Sequence, residues 1–596
     1  MKNSRNTRHS QGKNTNDSFM FPDRDDTYFE LPDDDGYDSS IDSGSYDDEY
    51  DDGYDTFQDD YDYEDEPKIP QRGGRPGTGS GRGAKAPLRR SVDGGRYGES
   101  GEQRMYKKAS RDQEKQIRKE EAKRPKGVKN REILVVMYAF IFLFVAVIGY
   151  FVYYNALGSK SVINHPGNVH IAKLQEKTTR GRILAADGSV LAQTVVDTSG
   201  NETREYPYAN VFAHVVGTSE INKSGLEASN EGDLLMSNIN PLTQALNELK
   251  NEKNPGDDVV TTLDTQLQQV AYNALGNNDG VVVAIEPSTG KVLAMVSKPD
   301  YDPNTLEENY SYIISQEGNK SLLNQATQGL FTPGSIFKIL TTLEYMKEDS
   351  GYNNYTYTCQ GSILLSDGAS GQQGLSCYQG TVHGTQDLLH SFSNSCNASF
   401  ANIGTQLNAA SFTQLANTML FNRSLPTEIS HVKSSFQLSD SDSDWLKGAT
   451  AIGQGYTTMT PLHAAMITSA IANGGVLMEP YLVDRIQSND GNTVSKNMPE
   501  SYGNLMTASE ASILTDMMIE TVNSGTAASL SGMGYTIAGK TGTAEVENSG
   551  NNAWFVGFAP AENPQIAVCV LVENASTSSS YIAVPIAKQL FQAYVN

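Results

Sequence analysis

Phe331-Thr332-Pro333-Gly334-Ser335-Ile336-Phe337-Lys338 runs directly into the apolar stretch Ile339-Leu340. Pro and Gly ahead of a serine predict a turn that opens a helix. That places Ser335 near the helix N-terminus and Lys338, three residues on, on the same face. A serine hydroxyl is inert at its ordinary pKa and needs an adjacent base; a lysine that is desolvated or crowded by another cation is neutral often enough to serve. The free N–H groups of a helix N-terminus suit a developing oxyanion. Taken alone the Ser-x-x-Lys pair is weak, since about two chance matches are expected in a chain of this length.

Two further stretches lie downstream in order. Ser395-Cys396-Asn397 sits within Ser391 to Phe400, and Lys540-Thr541-Gly542-Thr543 follows Tyr535–Ala538, a predicted strand, and precedes Ala544-Glu545-Val546. A second serine and an asparagine can relay a proton and hold a substrate amide. A second lysine on an edge strand, beside a glycine that lets a substrate backbone approach, can bind a carboxylate. Singly each has a bland reading: an N-cap serine, a helix-entry asparagine, a turn glycine. Three together in this order are not a chance set.

Around these motifs, helices and strands alternate from Asp257 onward: a predicted helix over Thr265–Leu275, a strand over Gly280–Ile285, a turn at Pro287–Gly290 and a strand over Lys291–Ser297. The last hundred residues predict strands near Tyr535–Ala538, Ala553–Phe558 and Gln565–Val572, then a closing helix over Ile582–Tyr594. Strands at both ends with helices between predict an α+β domain whose termini meet in one sheet. Before it, residues 155–256 form a separate region. Arg180-Gly181-Arg182-Ile183-Leu184, the turn Asp187-Gly188 and Val190-Leu191-Ala192 read as a hairpin, and the Lys/Asn-rich stretch 248–256 reads as a boundary.

The three motifs, with Thr262-Leu263-Asp264, Gly290-Lys291-Val292-Leu293-Ala294-Met295, Asp302-Pro303-Asn304, His383-Gly384, Gly453-Gln454-Gly455 and Trp554-Phe555-Val556-Gly557-Phe558, resemble a penicillin-binding protein, a family of serine acyltransferases related to serine β-lactamases. The resemblance spans about 440 residues. It implies an α+β β-lactamase/transpeptidase-like domain, a central antiparallel sheet flanked by helices, over 257–596, on a small β-rich pedestal over 155–256. It implies a peptidoglycan D,D-transpeptidase inhibited by β-lactam antibiotics. Ser335 would attack the penultimate D-Ala carbonyl of a stem peptide, release the terminal D-Ala and pass the acyl group to an amine on a neighbouring stem. Lys338 would be the base, Ser395 the proton relay and Asn397 the holder of the substrate amide and of Lys338. Lys540, Thr541 and Thr543 would bind the substrate carboxylate beside Gly542, with Gly453 and Gln454 also at the substrate. The N–H groups of Ser335 and Thr543 would form the oxyanion hole. No metal or cofactor is implied. Only about 100 residues precede the domain outside the membrane, too few for a glycan-polymerising domain, so the resemblance is to the monofunctional class. Its partner would be a membrane glycan polymerase of the shape, elongation, division and sporulation group.

Further out, Ile133 to Tyr154 carries no charge over 22 residues, long enough to cross the hydrocarbon layer as a helix. Lys123, Arg124, Lys126, Lys129 and Arg131 precede it, and by the positive-inside rule keep residues 1–132 cytoplasmic and put everything beyond about 155 outside. The length and position of this stretch exclude a cleaved signal peptide; it reads as a signal anchor at 133–154. The 596 residues carry a net charge of −25, but unevenly. Residues 17–66 hold 22 acids and one base, Arg24, and lack aliphatic periodicity, which predicts disorder. Residues 67–131 hold 20 bases against seven acids, Gly/Arg-rich at first and helix-compatible later. The acidic block is a solvated leader or a tail for a basic partner; the basic charge is explained by the membrane rather than by nucleic acid.

Cys359 and Cys377 bracket a Gly/Ser/Gln-rich loop, and a disulfide or two free thiols fit them equally. Cys396 and Cys569 read as packing residues. No zinc spacing, no His-Glu-x-x-His and no Gly-x-Ser-x-Gly is present, which leaves a metallopeptidase or an α/β-hydrolase without support. Two alternatives share the serine: a D,D-carboxypeptidase or β-lactamase that hands the acyl group to water, and a catalytically idle β-lactam-binding scaffold or sensor.

Overall fold

The structure is a computed structural model and describes residues 101–123, 131–153, 169–545 and 550–595. The acidic block 17–66, the Gly/Arg-rich stretch after it and the start of the pedestal region lie outside the described residues. The basic stretch forms a helix over Gly101–Glu121. A second helix, Arg131–Tyr153, contains the window Leu134–Phe151 at mean hydropathy 2.6. Among the described residues it is the one helix long and apolar enough to cross a membrane, and its window buries nothing against protein.

The predicted meeting of the two ends is present. Five strands lie in the order Ala538–Ala544, Asn551–Ala559, Ile566–Ala575, Gly280–Ile285, Val292–Lys298, every neighbour antiparallel. Successive side chains of a strand point to opposite faces. Val281, Val283 and Ile285 therefore enter the core shared with the helical lobe, whereas Val282 and Ala284 join the core beneath the helices Thr265–Leu275 and Ala583–Tyr594. Both faces are covered, so Gly280–Ile285 reads as an unbroken apolar run. Behind the first face lies Pro461–Ala472, buried at every position from Pro461 to Ile471. The helix Thr265–Leu275 starts where Asp264 accepts the Leu267 N–H and ends at Gly276, as its sequence predicts.

One expected strand is shifted. Tyr535–Ala538 is a loop up to Ile537, and the strand runs over Ala538–Ala544, so Lys540-Thr541-Gly542-Thr543 lies inside it rather than after it. The backbone of this edge strand pairs residue by residue with Asn552–Phe558, and that pairing, invisible locally, overrides the poor strand propensity of its two glycines.

The expected hairpin is present, Ile183–Leu184 pairing with Val190–Val196. Its six-stranded sheet also takes Glu202–Glu205 on one side, and Asp258–Thr261, Val483–Gln487 and Thr493–Lys496 on the other. Half of that sheet thus comes from beyond the Lys/Asn-rich stretch. Charge ties the two sets together: Arg182 holds Asp258 through Nε–Oδ1 at 3.0 Å and Nη2–Oδ2 at 2.6 Å. Deeper, Glu227 is fully buried and receives Arg180 Nε and Arg204 Nε, each at 2.7 Å.

Candidate active site

Ser335 lies on a short 3-10 turn, Gly334–Phe337, that continues without a break into the α-helix Lys338–Glu348. The expected helix opening is present but tightened. The turn is pressed between two backbones. Gly542 on the edge strand faces it so closely that a Cβ would stand 3.0 Å from both Ile336 N and Pro333 O. On the other side Gly453, at φ +76°, accepts the Gly334 N–H through its carbonyl at 2.9 Å, and a Cβ there would overlap Gly334 O at 2.1 Å. Trp554, fully buried, donates its indole N–H to Thr332 O at 3.0 Å and anchors the approach to the turn.

Lys338 is entirely buried. Its Nζ sits 2.9 Å from Ser335 Oγ, 2.7 Å from Asn397 Oδ1 and 2.8 Å from Ser395 O. Burial without a carboxylate partner disfavours the ammonium and brings its pKa down to about 7. Lys540, also entirely buried, donates to Ser395 Oγ at 2.9 Å and to Thr541 O at 2.8 Å. Burial first, and then the charge of Lys338, hold its pKa well below the ordinary lysine range. Ser395 Oγ is thus 2.9 Å from one amine and 3.4 Å from the other. Its backbone is left-handed at φ +56°, unusual for a serine, which aims the hydroxyl between the two lysines.

Ser335, Lys338, Ser395, Asn397 and Lys540 therefore form one hydrogen-bonded chain from three segments more than fifty residues apart. Thr541 flanks it, its hydroxyl 2.5 Å from that of Thr526, and the Thr543 hydroxyl faces Ser579 Oγ at 3.3 Å. Gln454 lies half-buried on the Gly453 loop, its N–H bonded to Ala449 O. Among the described residues the chain of bonds does not run to it. Thr526 and Ser579 carry no local signal; only the folded sheet edge brings them beside Thr541 and Thr543.

Of the two readings open for the first cysteine pair, the structure shows free thiols. Cys359 and Cys377 are not bonded, their sulfurs standing 3.7 Å apart, and Cys396 is the same distance from Cys377. His383 Nδ1 lies 3.5 Å from Cys359 Sγ. Cys396, read from sequence as a packing residue inside the second motif, belongs to this buried cluster, whereas Cys569 packs in the sheet core as expected. The spacing gave no signal because the four residues come from four separate turns.

Comparison with known proteins gives this geometry its class. A family model described as the penicillin binding protein transpeptidase domain matches residues 280–592, and one described as the penicillin binding protein A dimerisation domain matches 180–259. Peptidoglycan D,D-transpeptidase PbpA of Mycolicibacterium smegmatis is 31% identical over 458 residues, which is 72% of this chain and 91% of that protein. MrdA of Acinetobacter baumannii, also a peptidoglycan D,D-transpeptidase, is 29% identical over 455 residues, 66% of each chain. Among solved structures, penicillin-binding protein A from Mycobacterium tuberculosis as an imipenem acyl-enzyme complex superposes with a TM-score of 0.64 at 30% identity, over 71% of this chain and 99% of that one. The D,D-transpeptidase domain of a peptidoglycan glycosyltransferase from Eggerthella lenta gives 0.63 at 27%, over 70% and 98%. The fold is the α+β transpeptidase/β-lactamase-like one. The chain belongs to the penicillin-binding protein transpeptidase family.

Proposed function

We propose that this protein is a peptidoglycan D,D-transpeptidase that cross-links stem peptides through an acyl-Ser335 intermediate and is acylated there by β-lactams. The observation that carries this is the fully buried Lys338 amine, 2.9 Å from Ser335 Oγ and with a pKa near neutrality. A neutral Lys338 takes the hydroxyl proton as Ser335 Oγ bonds to the penultimate D-Ala carbonyl carbon. The N–H groups of Ser335 and Thr543 receive the oxyanion. The bond to the terminal D-Ala then breaks, and Ser395, between the two amines, passes a proton to the departing amine. An amine of a second stem peptide attacks the ester and restores the serine. Asn397 holds Lys338 and the substrate amide, and the Lys540–Thr543 strand pairs with the substrate backbone, its Lys540, Thr541 and Thr543 on the carboxylate. Gly542 and Gly453 keep the turn in place, and Gln454 borders the groove.

In this reading residues 155–256 form the pedestal and 257–596 the transpeptidase domain, with their sheets interleaved through Asp258–Thr261 and Val483–Lys496. The Arg131–Tyr153 helix anchors the chain, the basic tail staying cytoplasmic and the enzyme outside. A membrane glycan polymerase is the partner, and the pedestal is the surface such a partner would meet. The test is labelling of membranes by a fluorescent penicillin. Wild type is labelled and stays labelled, and Ser335→Ala is not. Label on Ser335→Ala removes the nucleophile assignment, and rapid loss of label from wild type turns the reading to a hydrolase. Cross-linked dimer from stem peptides, formed with a polymerase present, completes the case.

A further inference from the structure

We infer that the helix Pro241–Lys250 lies on the membrane surface with its leucines in the lipid, beside the point where the anchor joins the folded chain. Its own sequence defines the helix well: Asn240 accepts the Leu242 N–H, Pro241 takes the first position and Asn251 ends it at φ +59°. Its apolar residues nonetheless face the wrong way for a water-facing surface. Leu242, Leu246 and Leu249 recur at the spacing that puts them on one face, and they are 69%, 48% and 84% exposed. No residue of the helix is buried. The side that meets the protein is polar instead: Gln244 Nε2 donates to Ser237 O at 2.8 Å, and Asn247 Nδ2 to Asn254 Oδ1 at 3.0 Å. An amphipathic helix in water turns its apolar stripe toward the core. One held by its amides, with three leucines outward, is built to be covered by something apolar.

The connectivity decides which apolar phase is within reach, on the reading of Arg131–Tyr153 as a membrane anchor. Only residues 154–168 separate that helix from the helix Val169–Lys177, a span of at most about 60 Å. Val169–Lys177 runs into Thr178–Thr179, which pairs in parallel with Asn254–Pro255, just past the end of the leucine helix. Helix and tether therefore belong to the same corner of the fold. Residues 241–253 balance Glu248 and Glu252 with Lys250 and Lys253, so anionic headgroups do not repel them. Three leucines alone would bind a bilayer weakly, but the anchor holds them at high local concentration, and a weak site is then occupied. A second copy fits less well: three leucines from each chain fall far short of the about 1,200 Å² that a stable interface buries. A single tether sets only a distance from the membrane. With the helix lying flat as well, the side of the fold that faces the bilayer is fixed.

The test uses the full chain reconstituted, catalytic domain outward, into vesicles of phosphatidylcholine and phosphatidylglycerol. The protein has two tryptophans, Trp445 and Trp554, and wild type supplies their background. Leu249→Trp adds a reporter on the leucine face, and Ser441→Trp adds one on an exposed part of the catalytic domain. The emission added by Leu249→Trp should be shifted to the blue and quenched at least about two-fold by lipid brominated near the headgroup end of its chains, whereas that of Ser441→Trp is quenched by acrylamide and not by the lipid. Emission at 249 that acrylamide quenches freely and the brominated lipid leaves untouched overturns the inference. So does shielding that disappears on dilution of the protein in lipid, which marks a second copy.

The native helix gives a second measurement. Glutamine matches leucine closely in helix propensity, so Leu242→Gln/Leu246→Gln/Leu249→Gln keeps the helix and removes only its apolar face. Trypsin cleavage after Lys250 in vesicles should be at least about five-fold faster in that variant than in wild type, and equal rates overturn the inference. Flotation with the vesicles and penicillin labelling are read on the same samples. Protein that floats and is labelled but leaves the helix unshielded overturns this inference alone; protein that does not float overturns the anchor and the inference with it.

Discussion

Lys338 carries the sharpest expectations at the scale of single residues. With burial bringing its pKa down to about 7, it is protonated and unable to accept a proton below that pH and neutral above it. The acylation rate by a penicillin should therefore rise as pH increases through about 7 and level off; a flat profile across that range would remove Lys338 as the base. Lys338→Ala should cut acylation by about 10²- to 10⁴-fold while leaving the β-lactam's reversible binding nearly intact, as resolved by stopped-flow kinetics. Ser335 and Lys338 were legible in the sequence because their spacing of three is local and a helix maps it onto one face. Ser395 was legible as a residue type only. Its left-handed φ and its place between two buried amines follow from packing, and so does the approach of Cys396, beside it, to Cys377.

Between elements, the turn that carries Ser335 is pressed from both sides by its neighbours, the edge strand and the Gly453 loop. Gly453→Ala would force a left-handed residue and an overlap with Gly334 O, at a cost of about 1–3 kcal/mol in strain. The variant should lose penicillin labelling before it loses its fold, as read by labelling and circular dichroism on the same sample. Beside the six-stranded sheet, Glu227→Gln would leave Arg180 and Arg204 facing a neutral group in a buried site, where breaking such a pair costs about 3–5 kcal/mol. A large drop in melting temperature is expected, with an acylation rate near wild type at temperatures where the variant is folded. Helix Thr265–Leu275 and strand Gly280–Ile285 could be placed from sequence alone, since a side-chain cap and an unbroken apolar run are local marks. The bounds of strand Ala538–Ala544 could not, because its two glycines weaken it locally and only pairing with Asn551–Ala559 shows how far it extends.

For the molecule as a whole, topology and charge give one prediction: protease added to intact protoplasts should remove the chain beyond about residue 155 and spare the tail, detected with antibodies to each part. Removal of the tail should leave penicillin acylation unchanged, since the side chains that form the described site all come from residues 335–579. Composition, charge segregation and the 22-residue apolar run by themselves set apart a strongly charged N-terminal stretch, one segment apolar enough to cross a membrane and a large region able to fold, because these depend only on what each segment can bury. Order and spacing of three short motifs determined the class of chemistry. The tertiary structure alone decided that strands from 258–261 and 483–496 complete the six-stranded sheet, and that Thr526 and Ser579 flank Thr541 and Thr543. It also decided that three cysteines and a histidine converge behind Ser395. Each of those depends on contacts between residues far apart in the chain, which local propensity cannot register.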